Sequence, residues 1–199
     1  MKKIKHPKEE KTVVLIKPDG VKRGLIGEII SRIEKRGLKI IALQMIWATK
    51  KQIDAHYPKD RKWIKRLGEK TLQNYKEHGI DPIKELGTDD PMKIGKMVRG
   101  WLLDYLTSGP IVKMVVQGIH AISMVRKLVG DSMPSRAEMG TIRGDFSVDD
   151  ATAANRDKRA IHNIVHASEN EKEAEHELQF WFSPEEIHEY KRAEEDIMF

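Results

Sequence analysis

A chain of 199 residues with formal charge +5, 39% hydrophobic and 34% charged residues of both signs, has the composition of one folded domain with a heavily ionised surface, which excludes wholesale disorder. The absence of cysteine excludes disulfides, thiolate nucleophiles and cysteine-built zinc sites, and is compatible with a reducing cytoplasm, the expected location. Apolar runs all fall short of the roughly 18 residues of a membrane span, and Met1–Lys8 has charge without an apolar stretch behind it, so neither a membrane helix nor a secretory leader is expected.

After an N-terminal tail over residues 1–11, Thr12–Ile16 is β-branched and apolar at successive positions and predicts a central strand running into the Lys17-Pro18-Asp19-Gly20 turn. Leu25, Ile29, Ile30 and Ile33 recur at helical spacing up to Arg36, and Gly37 supplies a stop. A second strand is predicted over Leu38–Trp47 and a helix over Lys50–His56. The charged stretch 59–96, with several glycines and no strong apolar period, is expected to be an insertion with some helix lying outside the central fold.

Met97–Leu106 then predicts an amphipathic helix, Ile111–Val116 a third strand, and His120–Val129 a helix with Ala121, Met124, Val125 and Leu128 on one face. A Gly-, Pro- and Arg-containing loop runs over 130–146. Residues 149–159 are expected to form a second, smaller insertion, and Ile161–Val165 a fourth strand ending at His166. Ser183-Pro184-Glu185-Glu186 has the pattern of a capping box opening a last helix. This order is that of a split βαβ, α+β fold: a ferredoxin-like sandwich with a four-stranded antiparallel sheet and helices on one face.

The positive charge points to an anionic partner, either nucleic acid or a phosphorylated small molecule. Lys17, Arg126, Arg136 and Arg143 fall where elements end, and Arg143 lies in Gly140-Thr141-Ile142-Arg143-Gly144-Asp145-Phe146, whose glycines let backbone approach a ligand. Asn163-Ile164-Val165-His166-Ala167-Ser168-Glu169 presents an imidazole beside a hydroxyl and a carboxylate, the residue types that orient a nucleophilic histidine. His162 and His166 have metal-ligand spacing only on a helix; on the predicted strand they stand roughly 13 Å apart, so no metal site is expected.

Lys17-Pro18-Asp19-Gly20-Val21, Gly24-Leu25-Ile26-Gly27-Glu28, Ser108-Gly109-Pro110, the Gly140–Phe146 stretch and Asn163–Glu169 together, in this order, resemble the nucleoside diphosphate kinases over nearly the whole chain outside the tail and the two segments set apart. The resemblance implies a ping-pong kinase that moves the terminal phosphate of a nucleoside triphosphate onto His166 and then onto a nucleoside diphosphate. It also implies nucleotide contacts from Lys17, Tyr57, Arg126, Ser132, Arg143 and Asn163, and support of the histidine by Ser168 and Glu177. Mg2+ would arrive on the nucleotide phosphates, since no group of carboxylates forms a dedicated cage. A homo-oligomer, hexamer or tetramer, is implied as well.

Val98 aligns with the position that usually carries a phenylalanine under the base; it is expected to give the nucleotide apolar contact without ring stacking, or Trp63 or Tyr75 takes the stacking role. Ser132, Ala167, Glu169 and Met139 replace the usual threonine, glycine, aspartate and proline. The competing expectation is a phosphate- or nucleic-acid-binding module of the same fold without turnover. It is disfavoured because the Thr12–Ile16 and Ile111–Val116 strands lack the aromatic residues that stack on bases.

Overall fold

The structure, a computed structural model, describes residues 9–193 and 195. Residues 1–8 of the expected tail lie outside the described residues, and its last three open the first strand. In chain order the elements are β1 (Glu9–Ile16), α1 (Pro18–Lys22), α2 (Ile26–Lys35), β2 (Lys39–Ile46), α3 (Lys50–His56), α4 (Arg61–Glu77), α5 (Pro82–Leu86), α6 (Pro91–Leu106), β3 (Ile111–Ile119), α7 (Ala121–Val129), α8 (Ile142–Phe146), α9 (Ala151–Arg156), β4 (Val165–Ala167) and α10 (Glu171–Trp181). Short 3-10 turns occupy Pro134–Arg136 and Pro184–Glu186.

The strands lie in the order β2-β3-β1-β4 with every neighbouring pair antiparallel, the ferredoxin-like arrangement. Helices cover both faces of the sheet instead of the one face expected. Val14, Ile16, Val112, Met114 and Val116 pack against Ile29 and Ile33 of α2 and Val125 and Val129 of α7. On the other side Val13, Leu15 and Val115 meet Ile53 of α3, Leu103 and Leu106 of α6, and Trp181 of α10. Two covered faces are why β1 and β3 read as continuous apolar runs instead of alternating ones. Each of these buried aliphatic side chains contributes about 1.5–3 kcal/mol.

The charged stretch 59–96 is more regular than its sequence suggests. It forms α4, α5 and the first turns of α6, which starts at Pro91, ahead of the predicted Met97, because the Asp90 carboxylate caps the Met92 N–H at 2.8 Å. α4 and α6 cross at glycines: a Cβ on Gly68 would overlap the Pro91 carbonyl, and one on Gly95 the Ile64 carbonyl. Backbone thus lies on backbone, and the contact needs no apolar stripe. Buried Tyr75 of α4 donates its hydroxyl to the Asn155 carbonyl (3.3 Å), and the Asn155 amide donates to Asn74 Oδ1 (3.0 Å). The two segments set apart in the sequence therefore pack on each other.

Two C-terminal expectations change. The Ser183–Glu186 capping box forms, yet it closes a single 3-10 turn, because the chain then becomes extended and the His188 N–H donates to the Ile41 carbonyl of β2 (2.8 Å). The helix of this region is α10, absent from the reading above. The fourth strand is Val165–Ala167, so His166 sits in its middle, and Ile161–Ile164 is irregular.

Candidate active site

Lys17 follows the last residue of β1, and Pro18 at the first position of α1 turns the chain immediately after it. The Lys17 N–H donates to the Ile164 carbonyl (2.7 Å), and Asp19 Oδ2 accepts the Ile164 N–H (3.0 Å). Held at both its backbone groups, Ile164 adopts φ 67°, the left-handed region that a β-branched residue avoids at a cost of about 1–3 kcal/mol. This kink is why the predicted strand Ile161–Val165 does not form, and it turns Val165–Ala167 onto β1 with His166 opposite Leu15.

The imidazole is held from α10. His166 Nε2 lies 2.7 Å from Glu177 Oε1, and the carboxylate makes this nitrogen the protonated one. Glu177 Oε2 accepts from the Ser168 hydroxyl (2.7 Å), and that oxygen in turn accepts from the Val13 N–H (3.2 Å). Burial, with Glu177 only 2% exposed, acts to raise its carboxyl, but the hydrogen bond and charge of His166, with His56 and Ser168, outweigh it and hold the group below the usual carboxylate range. Nδ1 of His166 has no hydrogen-bond partner among the described residues, and the side chain is 22% exposed.

Cations lie close by. Lys17, 7% exposed, donates to Asn163 Oδ1 at 2.6 Å. Burial, then the charge of Arg143, lowers its ammonium to about 7 against the opposition of Asp19. Arg143 is 4% exposed, and its fork donates to the carbonyls of Asn163 (3.1 Å), Gly130 (2.8 Å), Asp131 (3.1 Å) and Val165 (2.6 Å). Burial, then Arg126, lowers it to about 10. Arg143 therefore staples the 130–131 loop to the histidine strand and adds a fixed positive charge. The side chain of Arg126, on the last turn of α7, makes no hydrogen bond or ion pair among the described residues and is the more available guanidinium.

A cavity of about 460 Å³ opens beside the nucleophile, lined among others by His56, Tyr57, Trp63, His166, His176 and Glu177. Burial and Glu177 push the Tyr57 phenol up, so it remains a hydroxyl donor. Of the residues singled out in the sequence, Tyr57, His166 and Glu177 share this cavity, with Ser168 behind them. Lys17, Arg143 and Asn163 form the adjoining hydrogen-bonded group. Ser132 joins through its carbonyl, which accepts from the Asn163 amide (2.9 Å). Val98, on α6, does not line the cavity, Arg136 is exposed, and Tyr75 is buried against α9, which leaves Trp63, stacked on Tyr57 at 6.0 Å, as the aromatic beside His166.

Sequence reasoning missed three participants. Asp19 ties α1 to the histidine strand and also accepts from the Tyr105 hydroxyl (2.6 Å), and Tyr105 in turn stacks on His162. His56 meets His166 edge to face at 5.2 Å. A signal existed for the helix behind Glu177: Ala174, Glu177, Leu178 and Trp181 follow the i, i+3, i+4, i+7 pattern, with a carboxylate in a core-facing position. The metal-type cluster among the described residues is His56, His166 and Glu177; His162 is not part of it.

Fold and site together define a class: a ferredoxin-like protein presenting one oriented imidazole beside buried cations, suited to handling phosphates. The family model described as nucleoside diphosphate kinase matches residues 10–70 and 93–187, so the second segment, 149–159, lies inside a matched stretch and 71–92 is passed over between the two stretches. The chain is 50% identical over 178 residues to a nucleoside diphosphate kinase of Pyrobaculum aerophilum, covering 89% of this chain and 97% of the relative. It is 37% identical to that of Archaeoglobus fulgidus, covering 96% and 97%. The solved NDP kinase from Pyrobaculum aerophilum superposes with TM-score 0.88 at 48% identity, covering 91% of this chain and all of that one. A nucleoside-diphosphate kinase from Borrelia burgdorferi with bound vanadate and ADP gives 0.77 at 34% identity, covering 96% of each. The chain belongs to the nucleoside diphosphate kinase family.

Proposed function

We propose that this chain is a nucleoside diphosphate kinase in which Nδ1 of His166 carries the phosphoryl group between nucleotides. The carrying observation is the 2.7 Å contact of His166 Nε2 with Glu177, which ties one ring nitrogen and leaves the other with its lone pair free. In the first half-reaction Nδ1 attacks the γ-phosphorus of a nucleoside triphosphate, the bond from that phosphorus to the β–γ bridging oxygen breaks, and the diphosphate leaves. The second half reverses this onto another diphosphate. Glu177 stabilises the positive charge that the ring acquires, as the Nε2 proton stays shared with its carboxylate.

Lys17 and Arg126 neutralise the transferring oxygens, Asn163 orients Lys17, and Arg143 with Ser132 holds the loop that carries the phosphates. Trp63 offers its face to the base in place of the phenylalanine missing at Val98. The described residues supply no carboxylate cage, so they fit Mg2+ bound through the nucleotide rather than through the protein. When bound, that ion screens phosphate charge. Copies of the chain associate through the edge strand β2, where Leu43 and Met45 are exposed and Trp47, just past the strand, is exposed by 67%. The substrates are those of the cytoplasm. Among the described residues no helix is long and apolar enough to cross a membrane. The nucleic-acid reading loses its platform, since both faces of the sheet are covered.

Incubation with γ-labelled ATP should label the protein through an acid-labile, base-stable bond, and chase with a diphosphate should remove the label. Label of equal amount on His166→Ala would refute the reading.

A further inference from the structure

Three potential ligands converge beside the nucleophile from three separate elements: His56 from the end of α3, His166 from β4 and Glu177 from α10. Glu177 Oε1 lies 2.7 Å from His166 Nε2 and 3.7 Å from His56 Nδ1, and one ligand atom from each residue lies within 4.8 Å of the others. A tetrahedral zinc-type ion with bonds of about 2.0–2.1 Å holds its ligand atoms about 3.3 Å apart. The three atoms already bracket that spacing, and rotamer adjustments bring them to it.

The partners of the three residues favour the same outcome. His56 is buried at its side chain, and its Nδ1 accepts only a long hydrogen bond of 3.3 Å from Trp181 Nε1. Glu177 keeps Ser168 on Oε2, so Oε1 is the oxygen left for an ion. The cavity of about 460 Å³ reaches all three residues, and Glu173 and His176 also line it, so a hydrated cation has an entry path and a fourth position for water. The phosphoryl-transfer step uses Glu177 and His166 but has no task for His56.

We infer that His56, His166 and Glu177 form a three-ligand site for an imidazole-preferring divalent cation of the zinc and cobalt kind, and that its occupation silences the nucleophile. The ion takes the place of the proton on His166 Nε2, which is released, and withdraws electron density from the ring, so Nδ1 attacks phosphorus poorly. Mg2+, which prefers oxygen ligands and keeps its waters, does not compete for the site. The inhibitory half of this inference rests on the kinase reading; the binding half does not.

The test titrates the full chain, without nucleotide, with Co2+ alone in excess Mg2+. One equivalent should bind and give the visible absorption of tetrahedral cobalt. His56→Gln and His166→Gln should each lose at least about tenfold in affinity, while His78→Gln, remote at the C-cap of α4, retains it. Zn2+ at one equivalent should slow the initial labelling of wild type by γ-labelled ATP by roughly tenfold, with chelator restoring it. Absence of the cobalt band, or its survival in folded His56→Gln, overturns the site. If circular dichroism shows that His56→Gln does not fold, the outcome in His166→Gln decides. A cobalt band together with wild type that stays unlabelled after chelator has removed the metal would uphold the metal site and reject the kinase reading.

Discussion

Gly20 and Ile164 touch backbone to backbone: a Cβ built on Gly20 would stand 3.0 Å from both the Cγ2 and the carbonyl oxygen of Ile164, the residue whose φ of 67° swings the chain into the histidine strand. The turn after β1 and the approach to His166 are therefore one unit, with Asp19 and Lys17 bonding the same residue from either side.

Gly20→Ala is expected to push this unit apart. The overpacking should cost about 1–3 kcal/mol in chemical denaturation, and labelling of His166 should slow as its strand shifts. A variant as stable and as fast as wild type would show that the close approach is dispensable.

His56 sets an acid limit on stability. Burial, then the neighbouring His166, with Lys17 and His176, lowers its imidazole to about 3, against the partial opposition of Glu177. The unfolded chain takes up a proton there as pH falls through about 6.5 while the folded chain does not, so stability is lost between pH 6.5 and 3 at up to about 1.4 kcal/mol per pH unit. Urea midpoints at about pH 7.5 and about pH 5 should diverge more for wild type than for His56→Gln. Equal divergence would reject the assignment.

Lys17, at about 7 in the free protein, should regain its proton when phosphates arrive. Nucleotide binding measured calorimetrically above pH 7, in two buffers of different ionisation enthalpy, is expected to show proton uptake that Lys17→Met abolishes. Binding without uptake would mean that the ammonium is already charged in the empty site.

Trp63→Ala is expected to raise KM for the diphosphate about 2–10-fold, the equivalent of about 0.5–1.5 kcal/mol of ring contact, with kcat little changed. Trp63→Phe should recover most of the loss. A KM response to Tyr75→Phe instead would move the base to the other aromatic.

Met45→Lys places a charge on the exposed edge strand β2 and is expected to lower the mass seen by light scattering. An unchanged mass would locate the subunit contact elsewhere.

The first three strands, the main helices of the split βαβ and the histidine stretch were legible because their signals are local, whereas the fourth strand was misplaced because the kink at Ile164 depends on Lys17 and Asp19. Apolar runs, a helical period before Gly37 and the turn after Lys17 each depend on residues a few positions apart. Two helical features were hidden for physical reasons. α4 and α6 meet through Gly68 and Gly95, so their contact leaves no apolar stripe, and α10 carries Glu177 where a periodic pattern leads one to expect an apolar residue.

What the sequence determined by itself was the order of elements, the family resemblance and the residue types available for phosphate chemistry. Only the tertiary structure decided what each group faces. It bound His166 to Glu177 across 11 positions of chain, spent Arg143 on four carbonyls, left Arg126 available, covered both faces of the sheet and set Trp63 beside the nucleophile. Hydrogen-bond partners and burial arise from packing between distant segments, and the strained Ile164 persists only because Lys17 and Asp19, from the other end of the chain, hold it.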